Sequence, residues 1–455
     1  MSEVFSQTQQ FTDTLKRLLR RNAGPNLRKI LAKTHPVDLA HVFDRFVPQD
    51  QLRLLSHVGD DERQAEVVAS LPMARAADLL EELPLERVVA LLGEMSGDDR
   101  ADILGELDEE LAHKILAAMP DEDSDEVAEL LRYGEATAGG IMSPDVLAIS
   151  CDVTAGEAIR IIQNSPDVEM TFYIYVVDNH NTLLGVVSLR QLVTSKSDVP
   201  LQSIMNPQVV SVRTSVDQED VARIVSRYDL LAVPVVDETN TLVGVVTVDD
   251  VIDVLREEAT EDILKMAGAG EQLDDRQTIL GSAWRRAPWL LVAWIGGVLA
   301  SIIIGHFEDT LRGHLALVAF IPIIVGMAGN VGTQSLAVVV RGLATRRIDV
   351  KQFWKVLGRE LGTGTLLGIL YGAALGGWGV VKLGDTAGES ALALAALVGA
   401  ASAIAMVIAA AMGSTMPLLL ARLRIDPAVA TGPFVTTAID VLGVLIYFNI
   451  INLYL

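Results

Sequence analysis

Several things are scarce in this chain, and each scarcity excludes something. One of its 455 residues is cysteine, Cys151, so no disulfide forms within it. That agrees with a reducing compartment. The seven histidines are scattered. His306 and His314 flank one loop and read as interfacial groups rather than metal ligands. No Walker loop, no His-Glu-x-x-His and no nucleophile elbow occurs, which argues against a hydrolytic enzyme. Aromatic residues make up only 5%. The start, MSEVFSQTQQFTDTLKRLLRR, lacks the apolar core of a signal peptide, so the soluble part is expected in the cytoplasm. Basic charge is missing from the first part of the chain. Residues 1–275 hold 51 acidic and 23 basic residues, a balance of −28, and residues 276–455 hold 8 and 13, a balance of +5. Phosphate binding needs a basic footprint, so nucleic acid is not the partner of the acidic part. Divalent cations suit it better.

What is abundant is apolar sequence near the C-terminal end. Five runs lie near 287–305, 315–340, 360–381, 390–420 and 430–454. Each is long enough to cross about 30 Å of hydrocarbon. Basic residues cluster before the first run (Arg285, Arg286), between the second and third (Arg341, Arg346, Arg347, Lys351, Lys355, Arg359) and between the fourth and fifth (Arg422, Arg424). Basic loops stay inside. The pattern predicts a multi-pass protein with its N-terminus in the cytoplasm and its C-terminus outside. Gly and Ala crowd the spans, as in YGAALGGWG, and small residues let membrane helices approach closely.

Two runs contain more than packing residues. PIIVGMAGNVGTQ places Pro322, Gly326, Gly329, Asn330, Gly332 and Gln334 within 13 residues. DPAVATGPFVTTAID carries Pro427, Gly432 and Pro433 ahead of Asp440. Pro and repeated Gly loosen a helix, so two broken segments are expected to line a path. A carboxylate at membrane depth is costly and functional by default, so Asp440 reads as an ion ligand, with a packing hydrogen bond as the alternative. Asn330 stands between the same two readings. One carboxylate with carbonyls and water suffices for a hydrated Mg²⁺, and Co²⁺ or Mn²⁺ would also fit such oxygen ligands.

The soluble part repeats itself. IMSPDVLAISCDVTAGEAIRII at Ile141 returns as IMNPQVVSVRTSVDQEDVARIV at Ile204, and IYVVDNHNTLLGVVSLRQLV at Ile174 returns as VPVVDETNTLVGVVTVDDVI at Val233. Each copy reads strand, helix, strand, turn, strand, helix. The pair resembles tandem cystathionine-β-synthase-type (CBS) domains. Such pairs often hold adenosine nucleotides through Gly-x-x-Ser/Thr-x-x-Asp. The second copy has it complete in Gly244, Thr247 and Asp250, while the first has Gln191 at the Asp position. The resemblance implies Tyr173 stacking on a base, Arg190 meeting phosphate, and Thr247 and Asp250 completing a site for a regulatory nucleotide such as ATP.

Two acidic stretches stand out. GDDRAD sets Asp98 and Asp102 four apart on one helical face, where like charges repel. DDVIDVLREEATED, residues 249–262, holds seven carboxylates against Arg256 alone. Such runs are often just solvated surface.

The whole chain resembles the MgtE family of magnesium channels and transporters, most specifically in YGEATAGGIMSPDVLAI, VDDVIDVLREEATEDILKMAG, GMAGNVGTQS and PFVTTAIDVLGVLIYF. The resemblance implies a multi-domain membrane protein. An all-α acidic superhelical N domain (1–136) precedes an α/β tandem CBS pair (137–200 and 201–254). A long connecting or plug helix (255–280) then leads to an α-helical bundle of five transmembrane spans (281–455). It implies a homodimer in the inner membrane, with Asp440 and Asn330 at a pore on the dimer axis. It places regulatory magnesium at Asp98, Asp102, Glu219, Asp229, Asp250, Asp253, Glu258, Glu261 and Asp262. Ions bound there would favour the closed form. A total preference of about 5.5 kcal/mol moves such an equilibrium from 1:99 to 99:1. The function expected is a magnesium-gated channel rather than an enzyme. Alternatives are a secondary transporter coupled to H⁺ or Na⁺, and a membrane-tethered sensor.

Overall fold

The structure, a computed structural model, describes residues 2–43, 45–165, 172–269, 278–308, 312, 314–387, 391–428 and 432–453. It forms two compact units, Met1–Arg256 and Glu257–Leu455.

The first unit opens with ten helices among the described residues, from α1 (Ser2–Arg20) to α10 (Asp121–Leu130). After α1 they are 8 to 10 residues long. Their starts are written in the sequence. Pro48 opens one helix at its first position, and Ser96 accepts from the Asp99 N–H at the start of α8 (Gly97–Glu106). Each helix buries one apolar stripe, so Leu15, Leu31, Leu39, Phe43, Leu54 and Leu91 are wholly inaccessible.

The CBS pair follows as two three-stranded sheets. The first is β1 (Ala148–Ser150), β2 (Tyr173–Val177) and β3 (Leu183–Ser188), with α11 (Ala155–Gln163) and α12 (Leu189–Thr194). A short helix, α13 (Leu201–Ile204), leads to β4 (Val212–Arg213), α14 (Gln218–Tyr228), β5 (Ala232–Val236) and β6 (Leu242–Thr247). In each sheet the first pair is parallel and the second antiparallel. The turns match as well: Asp178 and Asp237 each accept two backbone N–H groups, and Asn181 and Asn240 each take positive φ. Each of these asparagines reaches into the other copy. Asn181 Nδ2 donates to the Leu242 carbonyl at 2.8 Å, and Asn240 Nδ2 donates to the Leu183 carbonyl at 3.2 Å. Tyr175 and Val177 face Ala232 and Val236 between the sheets, while Ile174 and Val176 turn to the other side.

Helix α15 (Val248–Ala267) starts within the second copy and runs on into the second unit. It ends at Gly268, whose φ of +64° is the left-handed conformation that glycine adopts at helix ends. The connecting helix expected over 255–280 is therefore the later part of α15, and residues 270–277 lie outside the described residues.

The second unit holds α16 (Ile279–His306), α17 (Ile321–Ala344), α18 (Phe353–Ala387), α19 (Ala391–Arg422) and α20 (Gly432–Asn452). Among the described residues five helices are long and apolar enough to cross a membrane. The small residues do let backbones meet. A Cβ on Gly372 would lie 2.6 Å from the Gly399 carbonyl oxygen, and one on Gly413 would collide with the carbonyl of Gly332.

The expectation of two broken segments is corrected. Helix α17 is continuous from Ile321 to Ala344, with Pro322 in its first turn, where no N–H needs an acceptor. A separate 3₁₀ turn, Leu315–Phe320, precedes it. Pro433 likewise sits in the first turn of α20. Among the described residues the prolines inside helices are Pro288 and Pro417, which the sequence reading does not single out.

Candidate ion and nucleotide sites

Asp440 lies in α20 with one oxygen aimed at α17. A Cβ on Gly329 would be 3.7 Å from Asp440 Oδ1, an ordinary contact distance, so the carboxylate lies alongside α17 at this glycine. Among the described residues Asp440 makes no hydrogen bond or ion pair. The helix–helix hydrogen bond of the packing alternative is not seen among the described residues. Pro322, Gly326, Asn330, Thr333 and Gln334 are exposed on α17. Behind that face, Gly332 packs on Ile439 and Ala409.

A second membrane carboxylate was hidden in the sequence among basic residues. Glu360 of α18 is only 7% exposed. One turn before it, Val356 packs with Val339 and Leu418. One turn after it, Gly364 faces Ala410, and two turns after it Leu367 packs on Val331 and Met406. That register sets Glu360 level with Ser335 and Ser414, both buried.

In the second unit, α15 ends against the connection between α19 and α20. Lys265 Nζ donates to Asp426 Oδ2 at 2.9 Å and pairs with Glu261 one turn back. Burial opposes the Lys265 charge, but the bonds to Glu261 and Asp426 win and push its pKa up. Asp262 shifts upward, first because it is desolvated and then through Asp426 and Glu258; Lys265 and Arg341 oppose the shift. Glu258, Glu261 and Asp262 are all half-buried.

In the first unit, the first turns of α8 and α15 bring acids together. Burial, then the charges of Asp98 and Asp249, push Asp99 up to about 6 despite the Ser96 hydrogen bond. Burial pushes Asp250 up to about 7, with Asp98 and Asp249 adding to it and Thr247 opposing. Asp98 Oδ1 is buried and accepts no hydrogen bond among the described residues. Asp102 follows one turn later and is half-buried. The sequence picked out Asp98, Asp102 and Asp250 but not Asp99 or Asp249, because nothing in a single helix shows which acids face another. Beside them Arg100, 7% exposed, pairs with Asp123 at 3.0 Å and Glu126 at 3.5 Å. The remaining acids are apart from this group. Glu219 pairs with Arg223, Asp229 is exposed at the end of α14 with φ +51°, and Asp253 contacts Arg256 at 3.4 Å. Among the described residues no three acidic, histidine or cysteine side chains converge on a ready metal cage.

The nucleotide residues divide. Tyr173 and Arg190 line one open pocket of about 510 Å³ with Phe172, Ser188, Leu189, Val193 and Leu231. Thr247 and Asp250 do not line it. Thr247 is buried and gives its hydroxyl to Asp250, which thereby caps α15. In the first copy, Ser188 and Gln191 form the matching capping box on α12. Gln191 thus keeps the local structure that the missing aspartate would supply.

Comparison with known proteins agrees with this architecture. The profile of the MgtE divalent cation transporter domain matches residues 321–450, that of the MgtE intracellular N domain matches 34–136, and that of the CBS domain matches 138–198 and 201–257. The magnesium transporter MgtE of Thermus thermophilus is 40% identical over 334 residues, 72% of each chain. That of Bacillus subtilis is 33% identical over 434 residues, 95% of each chain. The first unit's fold is similar to a crystal structure of the cytosolic domain of the Mg²⁺ channel MgtE in complex with ATP, at 38% identity and a TM-score of 0.52 over 53% of this chain and 99% of that one. It is also similar to the soluble part of a magnesium transporter, at 32% identity and a TM-score of 0.51 over 55% of this chain and 99% of that one. An acidic helical domain, a CBS pair and five apolar helices, matched along almost the whole length of a curated relative, make this chain a member of the MgtE family of divalent cation transporters.

Proposed function

We propose that this chain is a magnesium channel of the inner membrane, closed by magnesium that has already entered. The observation that supports it most is the carboxylate of Asp440, without a partner among the described residues, against Gly329 and next to the exposed Asn330. A charge at membrane depth without a partner calls for a cation. The exposed polar face of α17 calls for a second copy, so the reading is a homodimer in a lipid bilayer with the path between the two α17 faces. The basic loops favour a cytoplasmic side for the acidic domains. There Asp98, Asp102, Glu219, Asp229, Asp250, Asp253, Glu258, Glu261 and Asp262 would hold regulatory Mg²⁺, which neutralises repelling acids through oxygen ligands. Among the described residues no three acidic groups converge, and on this reading the positions act in combination between elements and between copies. The related cytosolic domain was crystallised with ATP. The pocket at Tyr173 and Arg190 would take such a nucleotide here as a regulatory ligand. Inward drive comes from the membrane potential, about 2.3 kcal/mol per charge per 100 mV.

The test is the reversal potential of the purified chain in planar bilayers. It should follow the Mg²⁺ gradient alone and ignore pH and Na⁺. A second reading, a transporter coupled to H⁺, has one observation in its favour: Glu360 adds a buried carboxylate to the membrane unit beside the half-buried Asp440. A reversal potential that moves with pH, and stops moving in Glu360→Gln, would establish it instead.

A further inference from the structure

We infer that Lys265 is a built-in cation that keeps the end of α15 docked on the α19–α20 connection when no magnesium is bound there. The inference rests on the gating reading above and adds a part to it. Asp426 divides its two oxygens. Oδ1 accepts from the Ala428 N–H at 2.8 Å and shapes the connection, while Oδ2 accepts from Lys265 at 2.9 Å and holds the helix. Lys265 is 17% exposed on its side chain and pairs with Glu261 as well. So one ammonium sits between a carboxylate on α15 and a carboxylate on the connection.

The rest of the docking is apolar and close. Met266 packs with Leu336, Val340 and Ala428. The Met266 carbonyl lies where a Cβ on Gly432 would be, and Gly268 lies against Pro433 and Trp289. Without Lys265, Glu261 and Asp426 would lose the cation they share while these contacts hold them close. Like charges at such range push the helix off. A magnesium ion would attract the same carboxylates. The ammonium therefore sets how closed the protein is at zero magnesium, and it limits how much further magnesium can close it.

The experiment uses the full chain in planar bilayers, with EDTA or saturating Mg²⁺ on the cytoplasmic side. Lys265→Met should raise the open-to-closed ratio in EDTA about tenfold, the scale of one charge-assisted hydrogen bond. At saturating Mg²⁺ it should close like the wild type, because the dication takes over the seat. Lys265→Arg should stay near wild type. Asp426→Asn keeps an acceptor for Ala428 and should copy Lys265→Met, with the double variant no more open than either single. Unchanged opening of Lys265→Met in EDTA, or additive effects in the double variant, overturns the inference. Hydrogen exchange of amides 258–267 in EDTA gives a readout independent of flux. Protection should fall in Lys265→Met, and unchanged protection counts against the docking role. A wild type that passes no Mg²⁺ would sink the channel reading and leave the exchange test standing.

Discussion

Thr247 donates its hydroxyl to Asp250 Oδ2 at 2.5 Å, and its amide N–H reaches the same oxygen at 3.3 Å. Asp250 is thus a helix cap facing Asp98 and Asp249, and its pKa is raised by burial to about 7. Asp99 is raised to about 6. An unfolded aspartate titrates near 3.9. Between these values the folded state binds more protons, so stability rises as pH falls. Without divalent cations, thermal unfolding of the first unit should shift upward from about pH 8 to about pH 5. Asp250→Asn, which still accepts from Thr247, should flatten much of that slope. Below about pH 4 the sign reverses, because carboxylates held low, such as Asp61 by Arg87, begin to protonate.

Asp440→Asn should abolish Mg²⁺ uptake into liposomes while leaving thermal unfolding nearly unchanged. The carboxylate has no hydrogen-bond partner among the described residues, so no internal contact is lost. A variant that still takes up Mg²⁺ at the wild-type rate would return Asp440 to a packing role.

Neutralising Glu258, Glu261 and Asp262 together should leave the protein conducting at high cytoplasmic Mg²⁺. Patch recordings with graded internal Mg²⁺ would show the inhibition curve moving to higher concentration, and an unmoved curve would remove these three from the sensor.

Tyr173→Ala should weaken ATP binding by about one to two orders of magnitude, since stacking on an aromatic ring is worth about 1–3 kcal/mol. Arg190→Gln should weaken it too and reduce its salt dependence. Gln191→Ala should leave binding in place, with a small loss of stability from the broken cap on α12. Titration calorimetry on the full chain separates these outcomes.

Gly413→Val should destabilise the membrane unit by about 1–3 kcal/mol or more, the usual range for overpacking. Its Cβ would collide with the Gly332 carbonyl, which is backbone and cannot rotate away. Thermal unfolding in detergent would register the change, and Gly377→Ala, with open space around it, serves as the control.

Much of the architecture was legible because it is periodic. The apolar runs near 287–305 and 390–420 became α16, which starts eight residues earlier, and α19, which runs to Arg422, and the repeated strand pattern became two matching sheets. Candidate-site residues were legible in proportion to their isolation. Asp440 stands alone in an apolar run and is visible at once. Glu360 sits behind Arg359 and reads as part of a basic loop, yet the turn of α18 buries it. Asp99 and Asp249 looked like ordinary solvated acids, and only the approach of α8 to α15 makes them neighbours. Lys265 gave no signal, because its partner Asp426 is 161 residues away. Proline misled for a local reason: the sequence shows that Pro322 and Pro433 are present but not that each stands in a first turn.

Asn181 and Asn240, each clasping the main chain of the opposite repeat, tie the two sheets together at their turns. A change at the Tyr173 pocket on one repeat therefore has a short main-chain route to the other, in which Thr247 starts the outgoing helix.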